Sequence, residues 1–169
     1  MSNQIKELER KFNKDLSKVY NIYPVPIGDI CDILGIELNF DKDMDDKIHG
    51  NIMYKNNKFI INVNDRHSVY NNIFTIAHEI GHYLKHNEQV IQNGFVDRIR
   101  NVKEANVSPH IRKMEREANN FAASLLMPKD KFTELFIQTN GDLEILETFF
   151  KVSIEAIKYR ALNLGLILA

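Results

Sequence analysis

Histidines recur at positions 78, 82 and 86 of FTIAHEIGHYLKH (residues 74–86), and Glu79 follows the first of them. On a helix, side chains four residues apart stand about 6 Å from each other on one face. Two imidazoles so placed can share one tetrahedral divalent ion. In the pattern His-Glu-x-x-His the glutamate stands beside the ion's open position. There it can take a proton from an attacking water and pass it to a leaving amine. The chemistry is hydrolysis of a peptide bond, with His78 and His82 as metal ligands and Glu79 as the catalytic acid/base.

The competing interpretation is a decorated surface helix. Against it, Thr75, Ile76 and Ala77 before the motif, Ile80 and Gly81 within it, and Tyr83 and Leu84 after it are all uncharged. A solvated face rarely avoids charge in this way. Gly81 costs about 1 kcal/mol of helix stability relative to alanine. That cost points to close approach by another helix or a substrate backbone, with neutral packing as the alternative. His86 lies a further turn, about 5–6 Å, along the axis. No glycine turn precedes it, so it supports the site or the fold and is not a ligand.

A catalytic zinc takes three protein ligands plus water. MEREANNFAASLLMP (114–128) offers Glu115 and Glu117 on a helix whose apolar stripe contains Met114, Ala118, Phe121, Ala122, Leu125 and Leu126. At about 100° per residue both glutamates fall at the boundary of that stripe. The next turn separates them: Asn119 shares the face of Glu115 and could orient a ligand histidine, whereas Phe121 follows Glu117. Glu115 is the favoured third ligand, and for either residue an ordinary surface glutamate is the alternative.

Elements must position these groups. Ile5, Leu8, Phe12, Leu16 and Val19 recur at helical spacing, which predicts an amphipathic helix over 4–20. A short helix over 27–34 should end at Gly35, and Ile36, Leu38 and Phe40 alternate as a strand does. NIMY (51–54) and KFIINV (58–63) flank Asn56-Asn57, a pair that tolerates the positive φ of a tight hairpin. A small antiparallel sheet thus precedes the histidine helix; if 58–63 is an exposed edge it could hold an extended substrate by backbone pairing. The histidine helix itself carries an apolar stripe (Ile73, Ile76, Ala77, Ile80, Leu84) that should pack on the core, with the histidine stripe facing outward. Residues 87–107 read as loop with one helical turn. Ser108-Pro109 opens a helix to about 126, Pro128 the next, and Asp142 and Ser153 cap two more. The acidic stretch DKDMDDK (41–47) fails the spacing of a calcium loop, which needs glycine at its sixth position and glutamate at its twelfth.

Helices around a small antiparallel sheet make an α+β class, and the length suffices for one domain with a real core and a small helical appendage. The chain has 169 residues, 44% hydrophobic and 27% charged, and 22 basic residues stand against 23 acidic ones. That balance lacks the basic footprint of a dedicated nucleic-acid binder. The first residues have no continuous apolar region of a secretory signal, and no apolar run approaches the roughly 20 residues of a membrane span. Cys31 is the one cysteine, so an internal disulfide is impossible and a cytoplasmic setting is expected.

FTIAHEIGHYLKH followed by EREANNFAASLLMP resembles the ImmA/IrrE metallopeptidase family, and the likeness extends upstream through YPVPIGDICDILGIEL and FIINV, over most of residues 20–130. The resemblance implies a compact zincin-like fold with the motif helix against a small sheet. It implies zinc held by His78, His82 and Glu115, with Glu79 as acid/base. Family members of this size often sit in mobile elements beside a helix-turn-helix repressor, which they cut to relieve repression. The implied partner is therefore a protein substrate.

Domain organisation is expected as a zincin-like metallopeptidase body over 1–138 and a helical, helix-turn-helix-like extension over 139–169. From 142 to 169 the extension carries Asp142, Glu144, Glu147 and Glu155 against Lys151, Lys158 and Arg160. This slightly acidic balance favours a structural or protein-docking role over DNA contact. Peptide deformylase shares the motif but takes an upstream cysteine as third ligand; Cys31, within a predicted helix, reads instead as a buried apolar residue. A zinc-containing module that binds a partner without cutting it is the remaining alternative. Tyr54, Tyr83, His110 and Arg112 are candidates for steadying an oxyanion.

Overall fold

The chain begins with an amphipathic helix, α1 (Asn3–Phe12), which buries Ile5 and Leu8. It stops eight residues short of the expected end. Asn13 turns the backbone left-handed at φ 51°, and the Glu9 carboxylate accepts a hydrogen bond from the Leu16 amide at 2.8 Å. Leu16 and Val19 still reach the core, the latter through a 3₁₀ turn at Ser17–Val19. The computed structural model describes residues 3–19, 21–93, 95–99 and 108–168.

Helix α2 (Ile27–Leu34) ends at Gly35, whose left-handed conformation closes the last turn as anticipated. Strand β1 (Glu37–Asp41) follows, then β2 (Ile48–Lys55) and β3 (Lys58–Asn64), the last two joined by Asn56 and Asn57 at φ 52° and 61°. That hairpin is antiparallel, whereas β1 adds to β3 in parallel, with Leu38 opposite Ile61. The sheet order is β1-β3-β2-β4. Strand β3 therefore lies inside the sheet, and its backbone groups are not available to a substrate.

Helix α3 (Val69–Lys85) carries the histidines. Ser68 caps it by accepting from the Asn71 amide. The helix lies against β2 and β3 and also against α5 (Pro109–Leu126). Every residue from Thr75 to Leu84 is buried. This corrects the expectation that the histidine stripe faces outward: it faces α5. A helix with partners on both sides buries its polar stripe as well as its apolar one.

The expectation of loop with one helical turn over 87–107 is corrected in part: a helix is present, and a strand that was not expected follows it. Helix α4 (Asn87–Asn93) and strand β4 (Phe95–Ile99) occupy its first part, β4 pairing antiparallel with β2. Residues 100–107 lie outside the described residues. Helix α5 starts on Ser108, which accepts from the Ile111 amide, with Pro109 in its first turn. Helices α6 (Lys129–Gln138), α7 (Leu143–Phe150) and α8 (Ile154–Asn163) follow, with Asp142 and Ser153 capping the last two as expected.

Phe150, Ile157 and Ala161 join the same core cluster as Ile52, Ile61 and Ile80. Arg160 ties α8 to the end of α5, donating to the Met127 carbonyl and to Ser124 Oγ, both at 3.0 Å. Tyr159 donates to Asn120 Oδ1 at 3.0 Å. The chain is thus an α+β fold, mostly helical with a small sheet. Among the described residues no helix is long and apolar enough to cross a membrane.

Candidate metal centre

His78 and His82 stand one turn apart on α3, both fully buried. Glu115 reaches them from α5. The two Nε2 atoms lie 3.0 Å apart, with Glu115 Oε1 3.1 Å from His82 Nε2 and Oε2 3.3 Å from His78 Nε2. Gly81 permits this. A Cβ added there would lie 3.0 Å from the Ala118 Cα and 3.2 Å from its carbonyl oxygen, so the α3 and α5 backbones approach more closely than a side chain at 81 would comfortably allow. Of the two uses foreseen for Gly81, the structure shows approach by another helix.

The hydrogen bonds on the far side of each ring fix what the convergent atoms can do. Asn119 Oδ1, an acceptor, lies 2.9 Å from His78 Nδ1. Nδ1 therefore carries the proton and Nε2 of the neutral ring presents a lone pair. His86 Nε2 donates to Glu117 Oε2 at 3.0 Å, so its Nδ1 accepts from His82 Nδ1, also at 3.0 Å. That leaves His82 Nε2 as a second lone pair.

Two imidazole lone pairs and a carboxylate thus face one another in a buried space, and they form a group that could hold a metal ion. Electrostatics demand positive charge among them, either as extra protons on the imidazoles or as a cation. The donor set of two nitrogens and one carboxylate oxygen suits a catalytic zinc. The Glu115 carboxyl reflects the same field. Burial alone raises it, but once the imidazoles carry those extra protons their hydrogen bonds and charge hold it well below the ordinary carboxylate range.

Glu117, the competing glutamate, belongs to the other side. It accepts from His86 and lies 3.8 Å from Lys113. Glu79 is fully buried in the same turn of α3 as His78. Cys31 is buried in the core cluster, outside the convergent group.

Glu115 and Asn119 also line a cleft of about 790 Å³ between α5, α8 and the start of α3. Its apolar wall includes Phe74, Ala156 and Tyr159, and Arg112 and Arg116 stand on the α5 side. Of the four oxyanion candidates, Arg112 lines this cleft. Tyr83 instead stacks with Phe12 and meets Phe59 edge-on, Tyr54 packs on Phe59, and His110 is exposed.

His49 lines the cleft too and stacks on His67, with ring centroids 4.4 Å apart. An isolated histidine on a strand has no periodic signal, so the sequence does not single it out. The one local hint was its neighbour. A Cβ at Gly50 would meet Thr75 Cγ2 at 2.6 Å and the Asn62 carbonyl at 2.7 Å, so β2 presses on α3 just there.

A family model for the IrrE N-terminal-like domain, peptidase M78, matches residues 31–162. Among solved structures, a Mycobacterium tuberculosis transcriptional regulator superposes with a TM-score of 0.61 at 19% identity. That match takes in 95% of this chain and 47% of the other, so the chain spans about half the length of its structural relative. At this identity the likeness is one of fold. No curated protein matches the sequence. The family match spans both histidines of the motif and the helix that brings Glu115 to them, and the chain belongs to the M78 peptidase family of IrrE N-terminal-like domains.

Proposed function

We propose that the chain is a zinc-dependent, site-specific endopeptidase that acts in regulation by cutting a protein substrate such as a helix-turn-helix transcriptional repressor. The observation that carries this reading is the convergence of His78, His82 and Glu115 beside a peptide-sized cleft, with the Glu79 carboxylate in the same turn. On this reading those three residues hold zinc. Bound there, the ion supplies the charge that polarises a scissile carbonyl and makes water more acidic. Glu79 takes the proton of the attacking water and hands it to the leaving amine. Asn119 holds the His78 ring with its lone pair inward.

Residues 1–138 form the metallopeptidase body on this reading. The extension over 139–169 closes one side of the cleft through Ser153, Ala156 and Tyr159. It has no direct nucleic-acid role, since its charge is slightly acidic. The relative named a transcriptional regulator supports a regulatory setting. We place the protein in the cytoplasm and in the company of mobile-element anti-repressors.

The test is a survey of new protein N-termini in host cells expressing the wild type or Glu79→Gln. A few termini should appear with the wild type alone, and in vitro cleavage of the substrate so identified should fall by about 10²–10⁴-fold in the mutant, the usual worth of a general base. Metal content should be unchanged. Matching termini in the two strains, with metal bound in both proteins, would leave a zinc-containing module that captures its partner without cutting it.

A further inference from the structure

The ring of His82 is held differently from that of His78. His78 ends on one amide, Asn119. His82 ends on a second histidine, which ends in turn on a carboxylate at the opposite face of α5 from the cleft. The links His82 Nδ1–His86 Nδ1 and His86 Nε2–Glu117 Oε2 are each 3.0 Å. His82 is fully buried and the His86 side chain 6% exposed, whereas that of Glu117 is 42% exposed.

Resting on the metal-centre reading above, we infer that Glu117 and His86 are positioning residues for the metal, with the surface carboxylate of Glu117 dictating the tautomer of buried His82. The geometry leaves His86 no path to be a ligand, because its two nitrogens face His82 Nδ1 and Glu117. What it can do is choose where His82 keeps its proton. With Glu117 accepting at His86 Nε2, His86 Nδ1 is a lone pair, His82 Nδ1 carries its hydrogen, and His82 Nε2 is open toward Glu115 and His78.

Without the carboxylate, nothing selects that form. In the alternative tautomer His86 carries its proton on Nδ1, and two N–H groups would face each other across 3.0 Å. His82 relieves that clash by moving its own proton to Nε2, which closes the atom the metal needs. The carboxylate thus acts across two rings, in the way that groups behind a ligand histidine commonly set its orientation and basicity. It is reached from a groove lined by Glu7, Lys85 and Asn120, not from the cleft.

The experiment measures zinc affinity by competition with a chromophoric chelator in the full chain, for wild type, Glu117→Ala, Glu117→Gln and Lys113→Ala. Long-range proton–nitrogen spectra of the imidazoles accompany it. Both Glu117 variants lose the same charge, but only the glutamine keeps an oxygen that can accept from His86 Nε2. Glu117→Ala should bind zinc about 10–100-fold more weakly and show His82 Nδ1 stripped of its proton in the metal-free protein, where the wild type keeps it. Glu117→Gln should stay within about threefold of wild type, on the ground that the hydrogen bond and not the charge is what matters. Lys113→Ala, which removes a cation 3.8 Å from Glu117, should change neither readout. The thermal midpoint of the metal-free protein should be the same throughout.

Wild-type affinity in Glu117→Ala, or equal weakening in the alanine and glutamine variants, would overturn the relay and leave the metal centre standing. A wild-type chain that takes up no zinc would overturn the metal-centre reading and the relay with it.

Discussion

At the scale of single residues, short-range pattern and long-range contact were legible to different degrees. His78, Glu79 and His82 share one helical turn, so their spacing alone announced a face. Glu115 was separable from Glu117 by asking what stood one turn on, and Asn119 does lie 2.9 Å from His78 Nδ1. The His82–His86–Glu117 chain was not legible, because it exists only once α5 docks on α3. Cys31 was read as a buried apolar residue, and burial, aided by the charge of Asp32, pushes its thiol up to about 12 from an ordinary 9.0. The sign follows from proton counting. Below pH 9 the thiol is protonated in both the folded and unfolded chain; above it the unfolded chain loses the proton first, so stability falls. The loss runs from about pH 9 to about 12, at up to about 1.4 kcal/mol per pH unit. Urea unfolding of wild type against Cys31→Ala at pH 8 and pH 10.5 should show a gap that changes in that direction. The native thiol should also resist disulfide reagents at pH 8 until the chain is unfolded.

At the scale of elements, the boundaries with side-chain chemistry were legible and those made by tertiary pairing were not. Ser108, Asp142 and Ser153 each accept from backbone amides in the first turn that follows them. Strand β4 owes its existence to β2, more than forty residues earlier, and no local pattern foretells it. The two-stripe pattern of α3 implies one wet side, and the structure departs from it because α5 covers that side. The contact between α3 and α5 can be probed at Gly81. Alanine would gain about 1 kcal/mol of helix preference, but its Cβ would meet backbone at 3.0 Å, not a side chain that can swing aside. Overpacking of this kind costs about 1–3 kcal/mol, so Gly81→Ala should be neutral to destabilising by about 2 kcal/mol on chemical unfolding. Ala118 lies between Glu115 and Asn119, and any shift that relieves the clash moves both relative to the histidines. Zinc affinity should fall by about tenfold, in line with the sensitivity of metal sites to their supports.

At the scale of the whole molecule, α+β class and a small sheet before a helical half were legible from the order of periodicities. The parallel placement of β1 was not, since strand direction depends on how the chain crosses over. The convergent group joins α3 to α5 across the middle of the fold, so a bound ion should stabilise the native state and nothing else. At a free concentration 100 times its dissociation constant the gain is about 2.7 kcal/mol. Removal of metal by a chelator should therefore lower the thermal midpoint, and zinc should restore it. An unmoved midpoint would mean that the three side chains hold no ion.

Arg160 and Tyr159 lash α8 to α5, and with it the wall of the cleft to its floor. A slot braced in this way does not open around a folded domain; it admits chain that has already come loose. Susceptibility then becomes a property of the victim. If the chain cuts proteins as proposed, a segment buried in a stable partner is cut only as often as that partner frays, and whatever loosens or shelters the segment governs its lifetime without touching the protease.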